Sequence, residues 1–411
     1  MPNQLDAYTP EGFSGTLAKD AEGYAFTYHP KAPAVCGVSL TMPVRARSYI
    51  HHELHPIFQM NSPEGYLREQ LRQRLAKTVG MDPMLLLSLL GGESSIGRVR
   101  MELTQPVRSV ATDDKPGQGE SLKAILAYQG AEGLFDSLVD KYLMRSGLSG
   151  IQPKVLVPEQ AEMSPEPRGS MMTSEFIVKS GLNEFPGLAI NEFVCMSVVR
   201  ACGIPTPDFY LSDDRKLFVM RRFDREPDTG RPIGFEDFAV LSGRGAEGKY
   251  EGSYEALVRT AALYITDPHK LKDAKSRLFD LVALSCMLGN GDAHLKNFGV
   301  LYSNLDDVEL APAYDIVNTT CYIPEDSLAL SIGTSKSFFA SRMHLVDFAG
   351  KCGLAPDEAQ TRMRDMAEIA HSVVSEHSAL VDEVPNLGES VMHGVEIFRN
   401  SWAARLPKPK H

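Results

Sequence analysis

The stretch from Gly289 to Ile316 constrains this chain of 411 residues more than any other. It follows an apolar run with helical spacing, Leu271–Leu288, and reads GNGDAHLKNFGVLYSNLDDVELAPAYDI. Two short strand-like runs, Phe298–Tyr302 and Val308–Leu310, predict a hairpin. Asn297 follows Asp292 by five positions, and Asp315 follows Asn297 by eighteen, just beyond the hairpin. A polar loop with Asp292 as a helix N-cap and Gly289–Asn290–Gly291 as a turn would explain D-x-x-x-x-N on its own. The fixed order of helix, loop, hairpin and second aspartate weighs against that plainer reading.

This order suits phosphoryl transfer. Such a reaction needs a carboxylate to orient an acceptor hydroxyl and take its proton, with oxygen ligands for a cation that neutralises phosphate charge. Asp292 is the expected base. Asn297 and Asp315 are the expected ligands of Mg²⁺, a hard ion that takes few protein oxygens and leaves the rest to phosphates and water. His294 and Lys296 are cationic or hydrogen-bonding groups within reach of a γ-phosphate. Lys179 ends the apolar strand Phe176–Val178, the place expected for a lysine on the α/β-phosphates. Glu192 in the next helix is its candidate partner, with Glu184 competing. Gly147-Leu-Ser-Gly-Ile-Gln-Pro-Lys154 is a small-residue loop whose N–H groups suit phosphates, or simply a turn before a strand. Glu236-Asp237-Phe238 is a candidate connector offering backbone groups to adenine, or an acidic helix cap.

Around these residues the texture divides into three. Residues 1–105 form a small α+β module, with strand-like runs at Tyr24–Tyr28, Val38–Thr41 and Arg98–Glu102. Its helices are expected at Pro63–Val79, capped by Ser62, and Asp82–Leu90. Residues 106–240 open on a Gly- and Pro-rich linker, PVRSVATDDKPGQGE, and continue as a mixed, sheet-rich segment. Its strands include a hairpin, Phe209–Leu211 with Leu217–Phe223, and its helix is Leu188–Ala201. Residues 241–411 are mostly helical, with helices expected at Ser253–Ile265, Leu271–Leu288, Ser337–Cys352, Pro356–Val381 and Gly388–Arg405.

The 42 basic and 53 acidic side chains leave a net charge of −11, which disfavours generic binding to nucleic-acid backbones. None of the six cysteines forms a C-x-x-C pair. Cys195, Cys202 and Cys286 are expected as reduced core residues. There is no apolar run long enough for a membrane span, and MPNQLDAYTPEG lacks the basic and apolar regions of a secretory leader. The expected compartment is the cytoplasm.

The ordered motifs SGLSGIQPKVLV, FIVKS, NEFVCMSVVRACGI, MRRFDR, GFEDF, GNGDAHLKNFGVLY and LAPAYDIVNT resemble the HipA family. HELHPIFQMNSPEGYL resembles that family's N-terminal module, and the likeness runs from about residue 50 to 340. The resemblance implies an α+β fold with a eukaryotic-kinase-like two-lobe core, a sheet-rich N-terminal lobe and a helical C-terminal lobe. It implies an ATP- and Mg²⁺-dependent serine/threonine protein kinase that acts as the toxin of a toxin–antitoxin pair, phosphorylates an aminoacyl-tRNA synthetase and arrests growth. The implied partner is a small helix-turn-helix antitoxin and, through it, operator DNA.

By motif match the base falls on Asp292. The nucleotide and metal contacts fall on Ser149, Gly150, Ile151, Gln152, Pro153, Lys154, Lys179, Glu236, Asp237, Phe238, His294, Leu295, Lys296, Asn297, Tyr314 and Asp315. Members of the family carry a phosphate-loop serine that is autophosphorylated, in one variant within Ser-x-Ser. Here Gly147 takes the first position, leaving Ser149 as the one candidate. A phosphate there would add roughly −1.5 to −2 charge beside those of ATP. Two other readings remain. A small-molecule kinase of the aminoglycoside or choline sort usually has His-Gly-Asp where this chain has Asn290-Gly291-Asp292. A non-catalytic partner of a DNA-bound repressor would not need Lys179, Asp292, Asn297 and Asp315 together.

Overall fold

A computed structural model describes residues 2–61, 82–90, 95–104, 168–172, 176–181 and 185–400. The expected helix 63–79, the linker, the loop 147–154 with all six of its site residues, and Glu184 lie outside the described residues. Two compact units emerge, residues 1–185 with 210–236, and residues 186–209 with 237–411.

The first unit holds two sheets. One is antiparallel, β1 (Gln4–Thr9), β2 (Gly12–Lys19), β3 (Tyr24–Tyr28), β4 (Tyr49–His51) and β5 (Arg100–Leu103), in the order β4-β3-β2-β1-β5. Alternation in β1 buries Leu5 and Ala7 on one face, where they meet Leu17, Phe26 and Met101 in a core. Gly15 is required because a Cβ there would lie 2.2 Å from the Thr27 carbonyl of the neighbouring strand. Helix α1 (Pro56–Gln59) and helix α2 (Pro83–Leu90) belong to this module. Asp82 caps α2 as expected, its Oδ1 accepting from Met84 N at 2.9 Å and Leu85 N at 3.3 Å.

The expected strand Val38–Thr41 is a turn instead. Met42 N donates to Ser39 O at 3.1 Å, and Ser39 Oγ and Leu40 N both donate to the buried Glu236 carboxylate, at 2.8 and 2.7 Å. A distant carboxylate therefore takes the Leu40 N–H, a donor that a strand could have used in a ladder.

The second sheet has the order β6-β7-β9-β8, built from β6 (Arg168–Met172), β7 (Phe176–Gly181), β8 (Phe209–Leu211) and β9 (Leu217–Arg221). β7 is central, pairing antiparallel with both β6 and β9. Leu217–Met220 are buried on both faces, as the unbroken apolar run requires. Strand β10 (Gly234–Asp237) then leads to the second unit.

The second unit is mostly helical, comprising α3 (Leu188–Ala201), α4 (Phe238–Leu241), α5 (Tyr254–Tyr264), α6 (Pro268–Met287), α7 (Phe338–Cys352), α8 (Pro356–Glu376), α9 (Ser378–Val381) and α10 (Leu387–Asn400). Helix α6 starts earlier than its apolar spacing predicts. Asp267 Oδ1 accepts from His269 N and Lys270 N, and Pro268 sits at the first helical position. Its last ten residues, Leu278–Met287, are all buried. The single helix expected over 356–381 is broken at His377, where ψ turns to 17° and the ring packs edge-on to Phe193 of α3. β11 (Gly299–Tyr302) and β12 (Val308–Leu310) form the expected hairpin, with Val300 opposite Leu310 and Tyr302 opposite Val308. The fold class is α+β, with a sheet-rich first unit and a largely helical second. No helix among the described residues is long and apolar enough to cross a membrane.

Candidate active site

The loop after α6 is held at nearly every residue. Gly289 adopts φ +63°, which ends the helix. Asn290, wholly buried, accepts from Asp292 N through its Oδ1 at 3.0 Å. Gly291 N donates to Thr319 Oγ1 at 2.8 Å, and Thr319 Oγ1 also pairs with Asp326. Glycine is favoured at 291, because a Cβ would lie 2.7 Å from the Ser327 carbonyl oxygen and would also displace the Asp326 carboxylate. Past the turn, Asn297 Nδ2 donates to Asp292 O at 2.7 Å and Tyr254 OH donates to Ala293 O at 3.1 Å. The Asp292 backbone is thus clamped from both sides. Its carboxylate accepts from Tyr250 OH at 3.0 Å and has His294 Nε2 at 3.8 Å from the same Oδ1.

Of the two roles expected for His294, cationic or hydrogen-bonding, burial favours the second. Burial holds its imidazole below the usual range, against the pull of Asp292 and Asp315 and with the push of Lys249 and Lys296. Its Nδ1 is buried with no hydrogen-bond partner among the described residues. Asp292, Asp315 and Lys296 nevertheless all act on this one ring, so the loop and the segment after the hairpin share one electrostatic neighbourhood.

Tyr314 fastens those two segments. It is half-buried, desolvation holds its hydroxyl far above the usual range, and it donates to Lys296 O at 2.8 Å. Asp315 follows in the left-handed region at φ +59°, a conformation uncommon outside glycine and enriched at functional sites. Beyond it Asn318 braces the turn, donating through Nδ2 to Leu288 O at 2.7 Å and to Ser390 Oγ at 2.9 Å. Asn191 of α3 completes the brace, accepting from Asn318 N and donating to Asn318 O.

The structure therefore brings Asp292, His294, Lys296, Asn297, Tyr314 and Asp315 together in the second unit, with Leu295 buried among them. Asp237 accepts from Val240 N at 2.9 Å as the cap of α4, which is the plainer of the two sequence readings, and its charge also reaches Tyr314. Phe238 N, one of the backbone groups expected to face adenine, donates to Phe298 O at 3.0 Å. The Glu236 side chain is committed to Ser39 and Leu40. Lys179 lies on β7 in the first unit, its Nζ 5.9 Å from the Phe218 ring centroid, and Glu192 is buried on α3 in the second.

Sequence reasoning missed Tyr250, Asn191, Asn318, Thr319 and Asp326. The run Asn318-Thr319-Thr320 inside the apolar IVNTTCYI carried a signal, since buried amides need partners. Tyr250 carried none. Of the three cysteines expected in the core, Cys195 and Cys286 are buried and Cys202 is half-buried; burial pushes the Cys202 and Cys286 thiols up to about 12.

Similarity to known proteins accords with this geometry. Residues 146–374 match the HipA-like C-terminal domain and residues 5–102 the HipA N-terminal domain. Y4mE of Sinorhizobium fredii is 31% identical over 317 residues, covering 72% of each chain. Y4dM of the same organism is 27% identical over 327 residues, covering 73% of this chain and 71% of its own. Both bear kinase names. HipA of Shewanella oneidensis, solved with HipB and its operator DNA, shares the fold at a TM-score of 0.63, with 18% identity over 96% of both chains. With more than half of its length inside the first of these domains, the chain belongs to the HipA-like kinase family.

Proposed function

We propose that this kinase transfers the γ-phosphate of ATP to a serine or threonine hydroxyl of a protein, with Asp292 as the base. The new P–O bond forms to the acceptor oxygen, the bond to the β-phosphate bridging oxygen breaks, and the acceptor proton passes to the Asp292 carboxylate. The observation that carries the reading is the 2.7 Å bond from Asn297 Nδ2 to Asp292 O. It ties the expected base to one expected metal ligand, as Tyr314 ties the loop to the other.

The donor set fits Mg²⁺, since the Asn297 amide oxygen and the Asp315 carboxylate are hard ligands and few in number. The ion would neutralise phosphate charge when bound. The partnerless, buried Nδ1 of His294 fits a site completed by a polar ligand. Lys179 and the loop Ser149–Lys154 are assigned to the phosphates, and the connector Glu236–Phe238 to the adenine side. Ser149 is the candidate for inhibitory autophosphorylation.

Family membership, and the Shewanella relative's complex with HipB and operator DNA, support a toxin role with a DNA-binding antitoxin as partner. An aminoacyl-tRNA synthetase is the favoured substrate. The test incubates the chain with γ-labelled ATP, Mg²⁺ and a cell lysate, with Asp292→Asn as control. Label in one or a few proteins is expected, reduced about 10²–10⁴-fold in the variant. Label confined to small molecules would favour the small-molecule reading, and no transfer at all would defeat catalysis.

A further inference from the structure

Asn290 and Asn297 hold the backbone of Asp292, one at its N–H and the other at its carbonyl. The torsion that turns a carboxylate is soft and two-fold, so backbone clamps leave the direction of its oxygens open. Tyr250 meets that need. It closes the short 3₁₀ turn Ala246–Tyr250, far from the loop in sequence, and its hydroxyl donates to Asp292 Oδ1 at 3.0 Å. The ring stands edge-on to His294 with centroids 5.0 Å apart, and His294 Nε2 is itself 3.8 Å from the same oxygen. A tyrosine 45% exposed is thereby turned inward onto a carboxylate whose side chain is 19% exposed.

We propose that Tyr250 is a positioning residue for phosphoryl transfer, its hydroxyl holding Asp292 Oδ1 so that Oδ2 is presented to the acceptor hydroxyl. The inference rests on Asp292 being the base. A carboxylate has about four lone-pair sites, so a hydroxyl on Oδ1 takes up one of them and does not exhaust its capacity to accept the acceptor's proton. The competing idea is that the Tyr250 hydroxyl occupies the acceptor's own place and must leave before turnover. It makes the opposite prediction.

The experiment uses the full chain, γ-labelled ATP with Mg²⁺, and lysate proteins as acceptors. It compares wild type, Tyr250→Phe, Asp292→Asn and the double variant. Tyr250→Phe keeps the ring on His294 and removes only the hydroxyl. The expected result is a fall of about tenfold in the rate of protein labelling at saturating ATP, the size of one hydrogen bond to a charged group. The KM for ATP and the thermal midpoint should stay at wild-type values, which a merely structural role would not predict for a lost activity. The double variant should be no slower than Asp292→Asn alone, because both changes act on one group. A rate equal to or above wild type in Tyr250→Phe would overturn the inference, and so would losses that add in the double variant. A wild type that labels nothing would defeat the underlying assignment of the base instead.

Discussion

Two polar networks hold this molecule at its critical bends, and they are built from opposite chemistry. In the first unit, the segment after β9 is fixed by charge. Arg222 reaches Asp224 through Nε at 2.9 Å and donates to Ser95 O at 2.6 Å. Arg225 donates to Asp224 Oδ2 at 2.9 Å and to Ser95 O at 2.8 Å. Gly97 N donates to the same carboxylate at 2.8 Å. All three charged side chains are nearly buried. In the second unit, the turn before Asp292 is fixed by Asn191, Asn318, Ser390 and Thr319, none of them charged, with Asp326 at the edge.

The difference follows from what each network must do. Residues 95–97 have to be held permanently on the segment 222–225, and paired buried charges are unforgiving of any other arrangement. The turn before Asp292 is braced by neutral amides, which add no fixed charge to the field set by Asp292, Asp315 and Lys296. Each network can be broken in its own way.

The largest expected effect is in the first unit. Asp224→Ala strands two buried guanidiniums whose carboxylate is kept ionised; burial alone would raise it, but Arg222 and Arg225 hold it below the usual range. Stability should fall by about 3–5 kcal/mol. Denaturant unfolding followed by amide exchange should show the loss in residues 95–104 and 217–236 first. A loss below about 1 kcal/mol would mean that the pair contributes little.

Acidification should separate the units next. Burial lowers His55 from 6.5 to about 4, so the unfolded chain takes up the proton first. Its contribution is present above pH 6.5 and is lost as pH falls toward 4, up to about 3 kcal/mol. In the second unit burial raises Asp280 from 3.8 to about 6, despite Arg362 at 3.0 Å. Here the folded chain takes up the proton first, so stability grows as pH falls from 6 toward 3.8, by a similar amount. Stability–pH curves of His55→Asn and Asp280→Asn should therefore depart from wild type in opposite directions between pH 4 and 6.5. Departures of the same sign would break the comparison.

The smallest effect tests the neutral brace. Asn318→Leu leaves Leu288 O, Ser390 Oγ and Cys321 N without the side-chain amide they pair with and should cost about 1–3 kcal/mol. Because no charge is involved, the cost should be the same in low and high salt. A strong salt dependence would show that the brace is electrostatic after all.

Much of the site was readable because its spacing is covalent. Asp292, Asn297 and Asp315 lie on one short helix–loop–hairpin stretch, and local rules suffice to place them. Asp82 as a cap and Leu188–Ala201 as a helix were readable for the same reason. Val38–Thr41 misled because alternation favoured a strand, while the carboxylate that bends it into a turn stands 196 and 197 residues away. The choice between a cationic and a hydrogen-bonding His294 was not readable, because a sequence does not display burial, and burial disfavours the charged imidazole.

The sequence by itself determined the α+β class, the family and the one short stretch that carries the candidate base and candidate ligands. Only the tertiary structure decided which groups hold Asp292 in place. Tyr250 lies 42 positions before Asp292, and Asn191 lies 127 before Asn318. Hydrogen bonds of about 3 Å between such distant residues exist only once packing has brought the elements together, and no local pattern in the chain encodes them.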